Sequence, residues 1–421
     1  MGEAKSRREH TVDTSIRRTT CRSCDGALLE PVVDLGSTPI ANALLYNLDD
    51  TASEARYPLE VVFCADCSLV QILDDVALFP DDYPYYSSVS DALLDHARGH
   101  VEGLISTLGL DGDSFMVEVA SNDGYLLRNA VAAGVPALGI DAAPGPADAA
   151  RSIGVDTVTG FFGRELAAQI LQERGPADAM VANNVMAHVP DLNDFVGGFA
   201  TLLADDGVAT IENPAVEAMI EHGEFDTIYH EHVAYYSCLS VDALVSRHGL
   251  SLFDVEYFEN LHGGTSRYWV GRDRPQTERL RDRLAHERTL GMDRVDFYGG
   301  FGAKVASIRD ELRTLVRNLR ADGKTVAAYG AAAKGATMLN TVGLGPDDVA
   351  FVVDRNTHKQ GMFMPGTHQP ILGVEALLEQ RPDYTLILAW NFAEEIIHQQ
   401  SDYADLGGRF IVPVPRPAII D

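Results

Sequence analysis

Residues 229–237 read Tyr-His-Glu-His-Val-Ala-Tyr-Tyr-Ser, a short stretch dense in groups that can move protons or bind metals. Three readings fit it. A zincin-type metal site needs HExxH, with two imidazoles four residues apart on one helix face. His230 and His232 are instead two apart, on opposite sides of a helix or the same side of a strand. An acid–base device needs a group that titrates near neutrality, and histidine, with an unperturbed pKa of about 6.5, is that group. The third reading is a hydrogen-bonded polar corner with buried rings. The residues alone leave the choice open.

The cysteines are more specific. Cys21-Arg-Ser-Cys24 and Cys64-Ala-Asp-Cys67 form two CxxC knuckles, and Cys238 is the one cysteine left over. Paired knuckles supply four thiolates for a tetrahedral Zn2+ with no open position for water, which makes the expected zinc structural. A pair of disulfides is the alternative, disfavoured in a chain expected to be cytoplasmic. The flanking segments, with DLGSTP and PLEVVF, suggest a short, loop-rich module that needs its metal as a staple. Cys238 is expected to be a small buried thiol.

A third constellation is Glu118-Val-Ala-Ser-Asn-Asp-Gly124, between the apolar strand FMVEVA and a helical run, with PALGID ending on Asp141. Strand, turn, helix, strand and terminal acid is a general way to hold an adenosine, the acid accepting the ribose hydroxyls. Dinucleotide binding wants GxGxxG at this turn, and a single glycine is present. S-adenosylmethionine has no pyrophosphate, and its sulfonium suits the acids Glu118, Asp123 and Asp141. It is therefore the expected cofactor, with NAD and an empty core as alternatives.

The elements that must position these groups follow from pattern. Strand signals at FMVEVA, PALGID, ADAMVANNV and GVATIENP alternate with helical ones at 91–109 and 193–204, and SLFDVEYFE with TSRYWVGR reads as a closing antiparallel hairpin. Such alternation predicts a parallel sheet with helical crossovers. Residues 275–321 read as charged, solvated connecting helix. A second α/β unit follows, opening on Tyr329-Gly-Ala-Ala-Ala-Lys334-Gly335, a strand-to-helix turn suited to a diphosphate. Lys334 misses the Walker pattern, which disfavours ATP hydrolysis. Arg355, His358 and Lys359, after the next strand, are further candidates for nucleotide contact. The fold class expected is α/β in three domains: a zinc-binding module (15–80), a class I, Rossmann-like methyltransferase core (81–275) and a second Rossmann-like domain (276–421).

Composition bounds the partners. A formal net charge of −29 repels nucleic acid and anionic membranes. No apolar stretch is long enough to span a bilayer, and MGEAKSRREH does not resemble a secretory signal. A cytoplasmic enzyme with a small anionic substrate is the expectation, with a monomer among the oligomeric states left open.

These residues together resemble the sugar C-methyltransferases of antibiotic deoxysugar biosynthesis. The CxxC pair, EVASNDGYLL, NNVMAHVPD, EFDTIYHEHVAYYS, LHGGTSRYWV and VAAYGAAAKGATMLN occur in that family's order, across roughly residues 20–418. The resemblance implies an S-adenosylmethionine-dependent enzyme acting on a dTDP-linked 4-keto-6-deoxysugar, with C3 as the expected acceptor carbon and C5 or an NAD-dependent sugar oxidoreductase as alternatives. It implies His232 as general base, with Tyr229, Glu231, His188 and Tyr83 lining the catalytic site. It also places Glu118, Ala120, Asn122, Gly124, Asp141 and Asn184 on the cofactor, Ala120 standing where wider methyltransferases commonly carry glycine. Tyr329, Lys334, Arg355, His358 and Lys359 would face the nucleotide half of the substrate.

Overall fold

The computed structural model describes residues 15–76, 86–89, 91–259, 261 and 263–420. Its N-terminal module contains β1 (Ile16–Arg17), β2 (Leu29–Thr38), β3 (Tyr57–Cys64), β4 (Val70–Ile72) and β5 (Asp74–Asp75). β2, β3 and β4 run antiparallel in one sheet, and β1 pairs with β5. The expected loop-rich character is corrected here. Leu59, Val61 and Phe63 bury completely at a period of two, which makes PLEVVF a strand. DLGST reads as a turn because it lies on an irregular stretch of β2, where pairing shifts between Asp34 and Ser37 and Gly36 takes φ +81°.

The central sheet is built from β6 (Met116–Val119), β7 (Ala137–Asp141), β8 (Thr157–Thr159), β9 (Ala177–Asn183) and β10 (Leu203–Pro214). The two-residue β11 (Ala234–Tyr235) follows, then β12 (Ser251–Phe258) and β13 (Thr265–Gly271). The sheet order is β12-β13-β10-β9-β6-β7-β8, parallel except for β13, which runs antiparallel to both of its neighbours. Every residue of β6 is buried, as both faces of a central parallel strand require. The chain leaves β6 toward β7 on one side and returns as β9 on the other. This opens a crevice at the carboxyl ends of β6 and β9.

β11 leaves this sheet and joins the N-terminal one, pairing antiparallel with β4 through Ala234–Gln71 and Tyr235–Val70. Residues 229–237 are therefore shared between two domains. Their last residue, Ser237, is the N-cap of helix 238–246, in a reciprocal capping box with Ser240. Buried Glu287 accepts the next two amide N–H groups, of Cys238 and Leu239, at 2.9 and 3.0 Å.

The third unit holds β14 (Val326–Tyr329), β15 (Val352–Val353), β16 (Ile371–Leu372), β17 (Tyr384–Ile387), β18 (Arg409–Val412) and β19 (Ala418–Ile420), ordered β16-β15-β14-β17-β18-β19. Helix 301–321 leads into it. This helix is not the solvated connector expected: Phe301, Val305, Ile308, Leu312 and Val316 form a buried stripe at helical spacing. Charged residues fill its other face, which is why the composition alone reads as solvated. Lys304 on this helix donates to the carbonyls of Ile220 and Glu221 at 3.0 and 2.7 Å, at the C-terminal end of helix 216–222.

Candidate active site

The four cysteine sulfurs lie within 4.8 Å of one another, with Cys21–Cys67 and Cys24–Cys64 at 3.6 Å. Sulfurs about 2.3 Å from a common tetrahedral centre stand about 3.8 Å apart, so this set fits Zn2+, while a disulfide would require about 2.05 Å. One thiol loses its proton readily and its neighbours then resist following: hydrogen bonds from Cys64 and Cys67 lower Cys21, and the Cys21 sulfur pushes the Cys64 thiol up to about 12 and Cys67 higher still. A divalent cation reverses that cost. The knuckle is also anchored to the central domain. Asn193 Nδ2 donates to the carbonyls of Arg22 and Ser23 at 3.3 and 3.0 Å, and buried Arg22 donates to the Pro190 carbonyl at 3.3 Å.

At the crevice, Glu118, next to last in β6, is fully buried, and burial first, then Asp141 and Asp123, pushes its carboxyl well above the ordinary range. The turn after it has left-handed backbone at Ala120 (φ +58°), Asn122 (φ +49°) and Gly124 (φ +76°). Alternate positive φ values make the tight turn that glycines usually make, so the structure adds two residues to the single glycine visible in sequence. Asn is the commoner non-glycine choice there, and Ala120 is strained by about 1–2 kcal/mol. Asp141 closes the turn, accepting Asn122 N–H and Ala143 N–H, both at 2.8 Å. Asn184, at φ +54° just past β9, lies on the same edge. Among the described residues, Glu118 Oε2, Ser121 Oγ and Asp123 Oδ1 are buried without hydrogen-bond partners. Unpaired acceptors beside mutually repelling carboxyls fit a ligand that carries donors and positive charge, as S-adenosylmethionine does.

Just past the carboxyl end of β9, a 3-10 turn (Met186–His188) carries His188, and a turn closed by His232 N–H donating to the Tyr229 carbonyl (2.8 Å) carries His232. The rings of His188 and His232 meet edge-on with centroids 4.7 Å apart. Burial holds His188 down to about 4, so it is neutral at pH 7. His232 Nδ1 donates to the Thr227 carbonyl at 2.9 Å, which leaves the lone pair on Nε2. Nε2 meets the Tyr229 hydroxyl at 2.7 Å, with the two rings stacked at 4.0 Å.

Glu231 turns the other way, to the Asn42 N–H and Nδ2 at 3.1 and 3.0 Å, its carboxyl raised by burial. Buried His230 donates from Nε2 to the Pro58 carbonyl at 3.1 Å. The two histidines lie on neither a helix nor a strand: a turn sends His232 into the site and His230 into the N-terminal module. Among the described residues, the four cysteines are the one group arranged to hold a metal.

The structure thus brings His188, Tyr229 and His232 together, with Glu231 at the edge. Tyr83 lies outside the described residues. The C-terminal candidates form a second group at the carboxyl ends of β14, β15 and β17. Tyr329 ends β14 with its hydroxyl buried. Asp354 accepts Ala331 N–H and Asn356 N–H at 2.8 Å each, repeating the arrangement of Asp141. Lys359 donates to the Ala331 carbonyl at 2.8 Å, and burial lowers its ammonium pKa. Arg355 and His358 are exposed. Lys334 lies 4.2 Å above the Trp390 ring. Sequence reasoning did not find Asn42, Thr227, Asp226 or Trp390, whose parts are played by a backbone carbonyl or across a domain boundary. Cys238 is the buried thiol expected.

Residues 21–78 match a family described as a zinc binding domain, 96–255 a methyltransferase domain, and 260–415 a C-methyltransferase C-terminal domain. The C-methyltransferase NovU of Streptomyces niveus is 36% identical over 406 residues, covering 95% of this chain and 96% of that protein. Among solved structures, magnesium protoporphyrin IX methyltransferase from Synechocystis with bound SAH is 13% identical over 43% of this chain and 83% of its own, with a TM-score of 0.34. A SAM-dependent methyltransferase from Anabaena variabilis is 12% identical over 42% and 84%, also at 0.34. Among the described residues no helix is long and apolar enough to cross a membrane.

Proposed function

Because the chain belongs to the S-adenosylmethionine-dependent C-methyltransferases, with a zinc-binding N-terminal module, we propose that it methylates a dTDP-linked 4-keto-6-deoxysugar at a carbon next to the ketone. C3 is taken as the acceptor, and C5, on the other side of the same ketone, is the alternative. The bound cofactor would supply an electrophilic methyl group on a sulfonium. The protein's own task is to make the sugar carbon nucleophilic, which means removing its α-proton and stabilising the enolate oxygen.

The observation that carries the reading is the fixed tautomer of His232. With Nδ1–H committed to Thr227, Nε2 carries the lone pair, which accepts from the Tyr229 hydroxyl until the sugar displaces it, and the abstracted proton would end on Nε2. The imidazolium so formed keeps its Nδ1–H bond to the same carbonyl. Tyr229, next to Nε2, is placed to yield to the sugar or donate to the enolate oxygen, and neutral His188 offers a second donor. Glu118, Ala120, Asn122, Gly124, Asp141 and Asn184 would hold the cofactor at the crevice. Tyr329, Lys334, Arg355, His358 and Lys359 stand at the end of the C-terminal sheet, where they would face the nucleotide, and Tyr83 would line the catalytic site by resemblance.

The test uses a panel of dTDP-4-keto-6-deoxysugars in D2O. The wild type should exchange the α-proton and give a product one methyl heavier, with the carbon identified by NMR. His232→Gln should lose both exchange and methylation. Retained exchange in that variant would overturn the base assignment, and methylation on oxygen would overturn the reaction.

A further inference from the structure

The turn that fixes His232 is itself held from the C-terminal domain. Residues 225–227 form a 3-10 turn, closed by Thr227 N–H and Oγ1–H donating to the Glu224 carbonyl at 3.1 and 2.7 Å. Its middle residue, Asp226, is fully buried and accepts the Trp390 indole N–H on Oδ2 at 2.7 Å. Trp390 begins a 3-10 turn after β17, and Lys334, on the first turn of helix 333–342 after β14, covers its ring at 4.2 Å. Lys334 is also the cation that acts on Asp226 and Glu224, offsetting the burial that pushes both carboxyls up. Both C-terminal residues therefore lie at the ligand end of their sheet, yet face the segment that leads into Tyr229–His232.

From this chain of contacts we infer that Asp226 and Trp390 are a positioning pair for the catalytic histidine. The indole N–H fixes Asp226, Asp226 fixes the 225–227 turn, and the Thr227 carbonyl on that turn fixes the Nδ1–H tautomer of His232. The C-terminal domain thus contributes to proton abstraction without touching the reacting carbon. A hydrogen bond from a rigid indole at a domain boundary suits this task. It is directional, and it forms only when the two domains are docked. Lys334 over the ring holds the indole plane in place.

This inference rests on His232 being the base, and the experiment separates the two claims. Trp390→Phe keeps a ring beneath Lys334 and deletes only the N–H. Its kcat for α-proton exchange and for methylation should fall roughly tenfold, the scale of a small misplacement of a catalytic group. KM for the sugar nucleotide and affinity for S-adenosylhomocysteine should stay within about twofold. Asp226→Ala should lose as much, and Asp226→Asn, which keeps an acceptor for the indole, should recover most of it. Combining Trp390→Phe with Asp226→Ala should cost no more than either alone, as for two members of one contact. An unchanged kcat in Trp390→Phe, a rise in KM in place of the fall in kcat, or losses that multiply in the double variant would each overturn the pair. His232→Gln, run alongside, tests the base: exchange surviving there overturns the base assignment, whereas exchange lost there but intact in Trp390→Phe overturns the pair alone.

Discussion

The imidazole of His232 is held at both nitrogens, by the Thr227 carbonyl at 2.9 Å and the Tyr229 hydroxyl at 2.7 Å, and its charge state can change without breaking the first of these bonds. Tyr229→Phe should leave the tautomer intact and remove the donor beside the developing charge. We expect kcat to fall by about 10- to 100-fold, the usual weight of one proton-handling partner, with S-adenosylhomocysteine affinity unchanged by calorimetry. A second prediction belongs to His100, buried against Thr210 Oγ1 at 3.0 Å and close to Arg267, Glu212 and His96. Burial, then Arg267, lowers it to about 3, so the folded protein keeps it neutral over a range where the unfolded chain protonates it. The unfolded state then binds more protons, and stability falls as pH drops from about 6.5 toward 3 by roughly 3–5 kcal/mol in all. Glu212, lowered to about 2 by its hydrogen bond from His96 and by Arg267 against the pull of burial, adds a loss below its ordinary value of 4.5. His100→Gln should flatten the melting temperature against pH between 6.5 and 4; an unchanged slope would refute the linkage.

At the scale of elements, what sequence made legible is what local pattern encodes. Strands β6, β7, β9 and β10, the helices at 91–108 and 192–202 and the β12–β13 hairpin lie where periodicity puts them, because each buries a face that its own residues define. The cysteine site was legible for the same reason, since spacing within each knuckle is a local property. The turn at 118–124 was only half legible. Its acids could be read, but Ala120 and Asn122 do not announce a left-handed backbone, which the strand and helix on either side impose. The strain at Ala120 gives a prediction: Ala120→Gly should raise the melting temperature by a few degrees, since relief of about 1–2 kcal/mol outweighs glycine's added entropy in the unfolded chain. Ala120→Val should lower it, because a β-branched side chain tolerates φ +58° worse than alanine. Equal stability of all three would show that the turn relaxes around its side chains.

The whole molecule decides what the zinc is for. Sequence assigns it to the N-terminal module alone, because sheet pairing between residues far apart in the chain leaves no local trace. In the folded protein that module holds the proposed catalytic segment in three ways: β4 pairs with Ala234–Tyr235, Asn42 binds Glu231, and the Pro58 carbonyl receives His230. The knuckle also anchors the loop after His188 through the Arg22–Pro190 contact. The turn at 118–124 is held by different partners: Asp141 of its own sheet accepts the Asn122 N–H, and Asn122 Oδ1 accepts the Ser87 N–H, both at 2.8 Å. Removing the metal should therefore separate two properties that rise and fall together in a merely unfolded enzyme. After chelation, methylation should drop by at least ~10- to 100-fold, as when the support of a site is lost. S-adenosylhomocysteine should still bind within about threefold by calorimetry, since the central sheet keeps its own core. Zinc added back should restore turnover. Loss of turnover and of S-adenosylhomocysteine binding in parallel would mean that the module stabilises the whole chain and does not position the catalytic segment in particular. Full turnover without zinc would mean that β11 needs no support from the knuckles.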